Sequence, residues 1–141
     1  MPVLSDPSRA VLEPPAAPSF EALAHFEGLL KFETDCYDVH EAMAAMATGN
    51  PGFVLLDVRP PDAYAAGHVP GAVSLPHGRI VERNLEAYPS QTLFVVYCDG
   101  VQCNGADRAA IRLARLGRPV KKMIGGVAGW RADGFTLEMG A

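Results

Sequence analysis

Leu93-Phe94-Val95-Val96-Tyr97-Cys98-Asp99-Gly100-Val101-Gln102-Cys103 is an apolar run that stops at a cysteine and continues into a short glycine-containing loop. Five consecutive apolar residues of this type read as a strand covered on both faces, as in parallel sheets. A helix is expected to begin near Asn104 and run to about Leu116, with Ala106, Ala109, Ala110, Leu113 and Leu116 on its apolar face. A cysteine placed where a strand hands over to a helix lies under the helix's N-terminal amides. Those amides favour an anion, hence thiolate over thiol, which points to a nucleophile rather than a packed side chain. In open α/β sheets, ligands bind beyond the carboxyl ends of strands. Gly100 and Gly105 let the backbone curl so that successive amides converge there.

Outward from this loop, strands and helices alternate. Ser19 is a helix N-cap ahead of an apolar stripe at Phe20, Leu23, Phe26 and Leu30. A short strand is expected near Phe32 to Cys36, then a helix capped by the Asp38/Glu41 pair. Gly49-Asn50-Pro51-Gly52 closes that helix, and Phe53 to Leu56 is a second continuous apolar strand. Pro60-Pro61-Asp62 opens a short helix that Gly67 ends, Ala72 to Leu75 forms a short strand, and Ile80 to Tyr88 reads as helical. Val120 to Ile124 is a last strand and Val127 to Arg131 a last helical turn. This alternation predicts an α/β fold with a largely parallel sheet. Residues 1–18 carry five prolines and read as an extended arm, leaving residues 19–141 as the domain.

The composition, 49% hydrophobic and 20% charged over 141 residues, is that of one globular domain with a real core. Charge is unevenly spread: residues 1–70 hold 3 basic and 10 acidic side chains, residues 71–141 hold 9 and 6. The half with the cysteine loop is therefore the cationic one, which favours an anionic ligand there. A sequence pI near 5.5 with no basic run argues against nucleic acid. Three cysteines, Cys36, Cys98 and Cys103, do not make a disulfide scaffold and suggest a reducing compartment. No signal peptide is visible at Met1-Pro2-Val3-Leu4, and no segment has the ~20 apolar residues of a membrane helix. The expectation is a cytoplasmic protein that binds neither membrane nor nucleic acid.

Three segments resemble signatures of the rhodanese family, the sulfurtransferase-like domains. They are Leu55-Leu56-Asp57-Val58-Arg59 with Tyr64 and Gly67-His68-Val69-Pro70-Gly71-Ala72; Val96-Tyr97-Cys98 with its loop; and Ile124-Gly125-Gly126-Val127-Ala128-Gly129-Trp130. They occur in the family's order over residues of about 32 to 135. The resemblance implies a three-layer α/β fold, with a five-stranded, mainly parallel sheet and helices on both faces. It also implies a two-step reaction at Cys98. A small sulfane-sulfur donor would convert the thiolate to a persulfide, and an acceptor, a small thiol, a protein thiol or cyanide, would remove the sulfur. The amides of Asp99, Gly100, Val101, Gln102, Cys103 and Asn104 would hold the charge on the terminal sulfur, and neither metal nor organic cofactor is needed.

The loop departs from the family in its side chains. Many rhodaneses have a basic residue at the sixth loop position followed by serine or threonine, where this chain has Cys103 and Asn104, and Asp99 adds an acid at the second. A doubly charged donor such as thiosulfate should bind poorly. Arg59 is a candidate substrate cation, although after Asp57 it more often pairs with carboxylates. Arg108, Arg112 and Arg115 share one helical face that reads as solvated, with Arg108 nearest the loop. Side chains of a loop whose amides face inward radiate outward, so Cys103 is expected to point away and pack against the domain. The alternative is that Cys103 resolves Cys98 as an intramolecular disulfide, making the chain a thiol-redox or signalling protein. A non-catalytic binding module is a further alternative. Cys36 is expected in the core, His68 as a hydrogen-bonding brace of its turn, and Trp130 as a packing anchor.

Overall fold

The computed structural model describes residues 6–46 and 49–141. By packing, the chain divides into two compact units, Met1–Lys31 and Phe32–Ala141. In the first unit Asp6 caps a 3-10 turn at Pro7–Arg9, and an Arg9–Glu13 ion pair follows. This turn interrupts what the prolines suggested would be a fully extended arm. Helix α1 (Ser19–Phe32) begins where expected, but none of its residues is buried and its stripe at Phe20, Leu23, Phe26 and Leu30 stays exposed.

The second unit carries a five-stranded sheet. The strands are β1 (Glu33–Asp35), β2 (Phe53–Asp57), β3 (Val73–Ser74), β4 (Leu93–Tyr97) and β5 (Val120–Ile124). They lie in the order β1-β5-β4-β2-β3, and every pairing is parallel. Strand β4 is central. Its register with β2 aligns Asp57 with Tyr97, so both strands deliver their C-terminal ends to the same rim.

Alternation along these strands fills two cores. Leu55, Val95, Tyr97 and Met123 face one side, where α2 (Cys36–Ala45) and α6 (Gly126–Ala132) cover them with Val39, Val127 and Trp130. Leu56, Phe94 and Val96 face the other, against α4 (Glu82–Leu85) and α5 (Gly105–Arg115), which contribute Leu85, Ala106, Ala109 and Leu113. Each fully buried large aliphatic or aromatic side chain here contributes about 1.5–3 kcal/mol. With α3 (Pro61–Ala66) following β2, this is the expected three-layer arrangement.

Boundaries moved where capping competed with the periodic pattern. Helix α2 starts before Asp38 because Asp35 caps it, accepting the Asp38 amide at 2.8 Å. The helix expected over Ile80 to Tyr88 is only α4, preceded by a 3-10 turn at His77–Arg79. Pro89 has no N–H to give the Leu85 carbonyl, and Arg118, 9% exposed, donates to the carbonyls of Leu85, Tyr88 and Pro89 at 2.8–3.1 Å instead. No described helix is long and apolar enough to cross a membrane.

Candidate active site

Cys98 follows directly on β4, is 6% exposed, and stands at the sheet's C-terminal rim. The loop after it is fastened from below by α6. The Val127 amide donates to the Cys98 carbonyl at 3.0 Å and the Ala128 amide to the Asp99 carbonyl at 2.8 Å. This requires Gly126. Its φ is +57°, and a Cβ there would lie on the Cys98 carbonyl and 2.9 Å from the Gly100 nitrogen. The Gly125-Gly126 pair is therefore a close-approach device that lets one helix start seat another loop. Cys36 braces the same turn from the core, its thiol directed at the carbonyls of Ile124 and Gly126 at 3.6 and 3.5 Å. Burial, with Asp133 and Asp35 nearby, pushes the Cys36 thiol up to about 11, so it is no nucleophile at neutral pH.

Arg59 is bonded to carboxylates and a carbonyl of its own chain. It is 5% exposed, and burial disfavours its charge, but hydrogen bonds and the charge of Asp57 hold it well above the ordinary arginine value. Its Nε and Nη2 donate to the Asp57 carboxylate at 3.0 and 2.7 Å, and Nη2 also reaches the Gly67 carbonyl. Nη1 donates to Asp99 Oδ1 at 3.1 Å. All three nitrogens are therefore occupied, and the side chain ties β2 to the second loop residue. Asp57, with no exposed surface, also accepts from the Tyr97 hydroxyl at 2.7 Å, and that oxygen accepts the Val69 amide. Burial first, and then the Asp57 charge, raise the Tyr97 phenol far above its usual range and keep it a donor. The sequence motifs placed Asp57, Arg59 and Asp99 separately; the parallel register of β2 and β4 joins them.

Cys103 departs from the expectation that its side chain points away from the loop. It turns toward Cys98, and the two sulfurs are bonded as a disulfide across a Cα–Cα distance of 6.4 Å. The tight turn closed by the Cys103 amide on the Gly100 carbonyl, at 3.1 Å, reverses the chain and brings this side chain back over the loop. Gly105, the first residue of α5, leaves the room. A Cβ there would be 2.8 Å from the Cys98 sulfur and 3.4 Å from that of Cys103.

A cavity of about 110 Å³ opens beside both sulfurs, with Gly100, Asp107 and Lys122 among its lining residues. Lys122 Nζ meets Asp107 Oδ1 at 2.9 Å. Sequence reasoning missed this pair. The signal for it was a lysine in the strand beside β4, opposite Val96. Val101 is 90% exposed and Gln102 lies at the surface, so the middle of the loop presents no packed side chain. Asn104 accepts the Arg108 Nε at 3.1 Å, which fixes the loop's far end. Arg108, Arg112 and Arg115 line a separate, wider groove of about 490 Å³ with Ile80 and Ile111, away from the sulfurs. His68, 6% exposed, stacks on Tyr64 and bonds its carbonyl at 2.8 Å, and Trp130 is buried with its indole N–H on the Thr136 carbonyl. Both are braces, as expected.

Comparison with known proteins agrees with this geometry. A family profile described as "Rhodanese-like domain" matches residues 38–133. An HTH-type transcriptional regulator of Mycobacterium tuberculosis is 40% identical over 88 residues, 62% of this chain and 38% of that protein. A thiosulfate sulfurtransferase of Pseudoalteromonas translucida is 32% identical over 79 residues, 56% of this chain and 73% of that one. The crystal structure of a Bacillus halodurans protein superposes with a TM-score of 0.80 at 34% identity, covering 86% of this chain and 87% of that one.

Proposed function

Because the chain belongs to the rhodanese-like family, we propose that it is a sulfurtransferase that carries sulfane sulfur as a persulfide on Cys98. A thiol, on a small molecule or on a protein, takes the sulfur in the second step. One observation carries this reading: Cys98 ends the central strand beneath the start of α5, in a loop whose backbone is clamped from two sides. In the reduced protein the Cys98 thiolate attacks the outer sulfur of the donor. The bond from that sulfur to the rest of the donor breaks, and its electron pair leaves with the donor fragment. The amides of Asp99, Gly100, Val101, Gln102 and Asn104 hold the charge on the terminal sulfur, while that of Cys103 closes the turn on the Gly100 carbonyl. The acceptor thiolate then attacks that outer sulfur and returns Cys98 as the thiolate. The setting is a reducing, cytoplasmic one, and no resident cofactor takes part.

Thiosulfate is a poor donor in this reading. The loop has no basic side chain, Arg59 is spent on Asp57, Gly67 and Asp99, and Lys122 is paired with Asp107. The experiment is to expose the reduced protein briefly to thiosulfate, mercaptopyruvate or glutathione persulfide and take its intact mass. One sulfur gained from mercaptopyruvate or glutathione persulfide by Cys103→Ser, and by no donor in Cys98→Ser, supports the reading. Thiosulfate should load slowly, and faster in Cys103→Arg. Equal thiosulfate rates in the two proteins would remove the electrostatic argument. The disulfide between Cys98 and Cys103 favours a second reading, a thiol-redox protein that cycles without added sulfur. Loss of two hydrogens with no sulfur taken up and none released is its signature.

A further inference from the structure

We propose that Cys103 is the resolving thiol of a Cys98 persulfide, so that the domain reduces sulfane sulfur to hydrogen sulfide. This deepens the persulfide reading above and rests on it. The two cysteines are bonded at a Cα–Cα distance of 6.4 Å, inside the range of about 4.4–6.8 Å that native disulfides span. Gly105 leaves their sulfurs a shared space that a Cβ would occupy, and the small cavity opens on both of them. The Gly105 amide is directed at the Cys103 sulfur at 3.4 Å. An N–H at a helix start favours the thiolate of the group it faces, so Cys103 is placed as a nucleophile in its own right. The loop backbone is held at Cys98 and Asp99 by α6, at Asp99 by Arg59 and at Asn104 by Arg108. The tether then brings Cys103 to Cys98 without the entropy loss of recruiting a second molecule.

The chemistry balances within the loop. The Cys98 persulfide carries the outer sulfur as a sulfane atom. The Cys103 thiol passes its proton to the anionic outer sulfur, and its own sulfur attacks the inner sulfur, the Sγ of Cys98. The bond between the two persulfide sulfurs breaks, and its electron pair leaves with the outer sulfur, now protonated, as hydrosulfide. Two cysteine sulfurs are each oxidised by one electron, and the sulfane sulfur is reduced by two. Hydrosulfide is a weaker base than an ordinary cysteine thiolate and so the better leaving group. An external dithiol then reduces the Cys98–Cys103 disulfide by exchange and returns both thiols. The family's usual basic residue at this loop position would stabilise the persulfide; a thiol there consumes it.

A single-turnover experiment tests this. Reduced protein is freed of reductant, mixed with one equivalent of glutathione persulfide, quenched, and divided between intact-mass analysis and trapping of sulfide as its bimane derivative. The wild type should release one sulfide per chain and lose two hydrogens. Cys103→Ser and Cys103→Ala should instead retain one sulfur on Cys98 and release sulfide about tenfold more slowly or worse. Wild type that keeps its persulfide like the two variants overturns the resolving role and leaves the sulfurtransferase intact. A disulfide formed without stoichiometric sulfide also overturns it, since the thiols would then be oxidised by another route. If neither wild type nor the Cys103 variants take up sulfur, the persulfide reading itself falls.

Discussion

Replacing Arg59 by methionine should unbalance the most deeply buried ion pair among the described residues. Asp57 has no exposed surface, and Arg59 is 5% exposed. The pair makes three charge-assisted contacts, at 3.0, 3.2 and 2.7 Å. In Arg59→Met the Asp57 carboxylate keeps only the Tyr97 hydroxyl at 2.7 Å and a backbone amide at 3.1 Å. Leaving one member of a buried ion pair unpaired costs about 3–5 kcal/mol. Asp99→Asn severs the outer contact alone, and because the Asp99 side chain is 58% exposed that costs about 1 kcal/mol or less. Against a total stability of roughly 5–15 kcal/mol, the first change takes the domain close to unfolding and the second does not. At about 4 °C per kcal/mol, the melting temperature of Arg59→Met falls by roughly 12–20 °C. Urea titration followed by Trp130, the chain's one tryptophan and 2% exposed, measures both variants. The double variant Asp57→Asn/Arg59→Met should recover part of the loss, since no ionised group is then stranded. Equal small losses for Arg59→Met and Asp99→Asn, or a double variant no better than Arg59→Met, would refute the account.

Gly126→Ala drives a methyl group into the Cys98 carbonyl and the loop backbone at a φ of +57°. It should cost about 1–3 kcal/mol and slow sulfur loading at Cys98, measured by denaturation and intact mass; an unchanged loading rate would mean that the α6 seat does not set the loop. Cys36 ionises near pH 11 folded, against an ordinary value of 9.0. The raised value means that its contribution is complete below about pH 9 and is lost as pH rises toward 11, at about 1.4 kcal/mol per pH unit. Wild type should therefore lose stability faster than Cys36→Ala between pH 9 and 11, and parallel curves would contradict the burial argument. Native Cys36, 3% exposed, should also resist iodoacetamide at pH 8 and react once unfolded.

The central strand and its cysteine were legible because five consecutive apolar residues ending at Cys98 match a doubly covered strand and neither helical nor alternating periodicity. Ile80 to Tyr88 was not: its apolar residues read as one helix, yet the α-helix is Glu82–Leu85 and the carbonyls that follow are satisfied by Arg118, some thirty residues on. Cys36 was read correctly as core, but its hold on the Gly125-Gly126 turn needs β1 beside β5. The expectation for Cys103 failed on geometry. Inward amides do send side chains outward on average, yet the turn from Gly100 to Cys103 brings this one back over the loop. Arg59 was legible as a partner of nearby carboxylates, but not its bond to Asp99, which stands forty positions away.

Sequence alone determined the α/β class, and it placed Cys98 at the end of a strand, where the candidate site lies. These follow from hydrophobic period, glycine placement and the preference of helix starts for anions, all of which act over a few residues. Tertiary structure decided which charges are available and which sulfurs meet. Parallel pairing brought Asp57, Arg59 and Asp99 into one hydrogen-bonded network, and the space left by Gly105 joined Cys98 to Cys103. Both outcomes depend on distances between residues that local propensity does not encode.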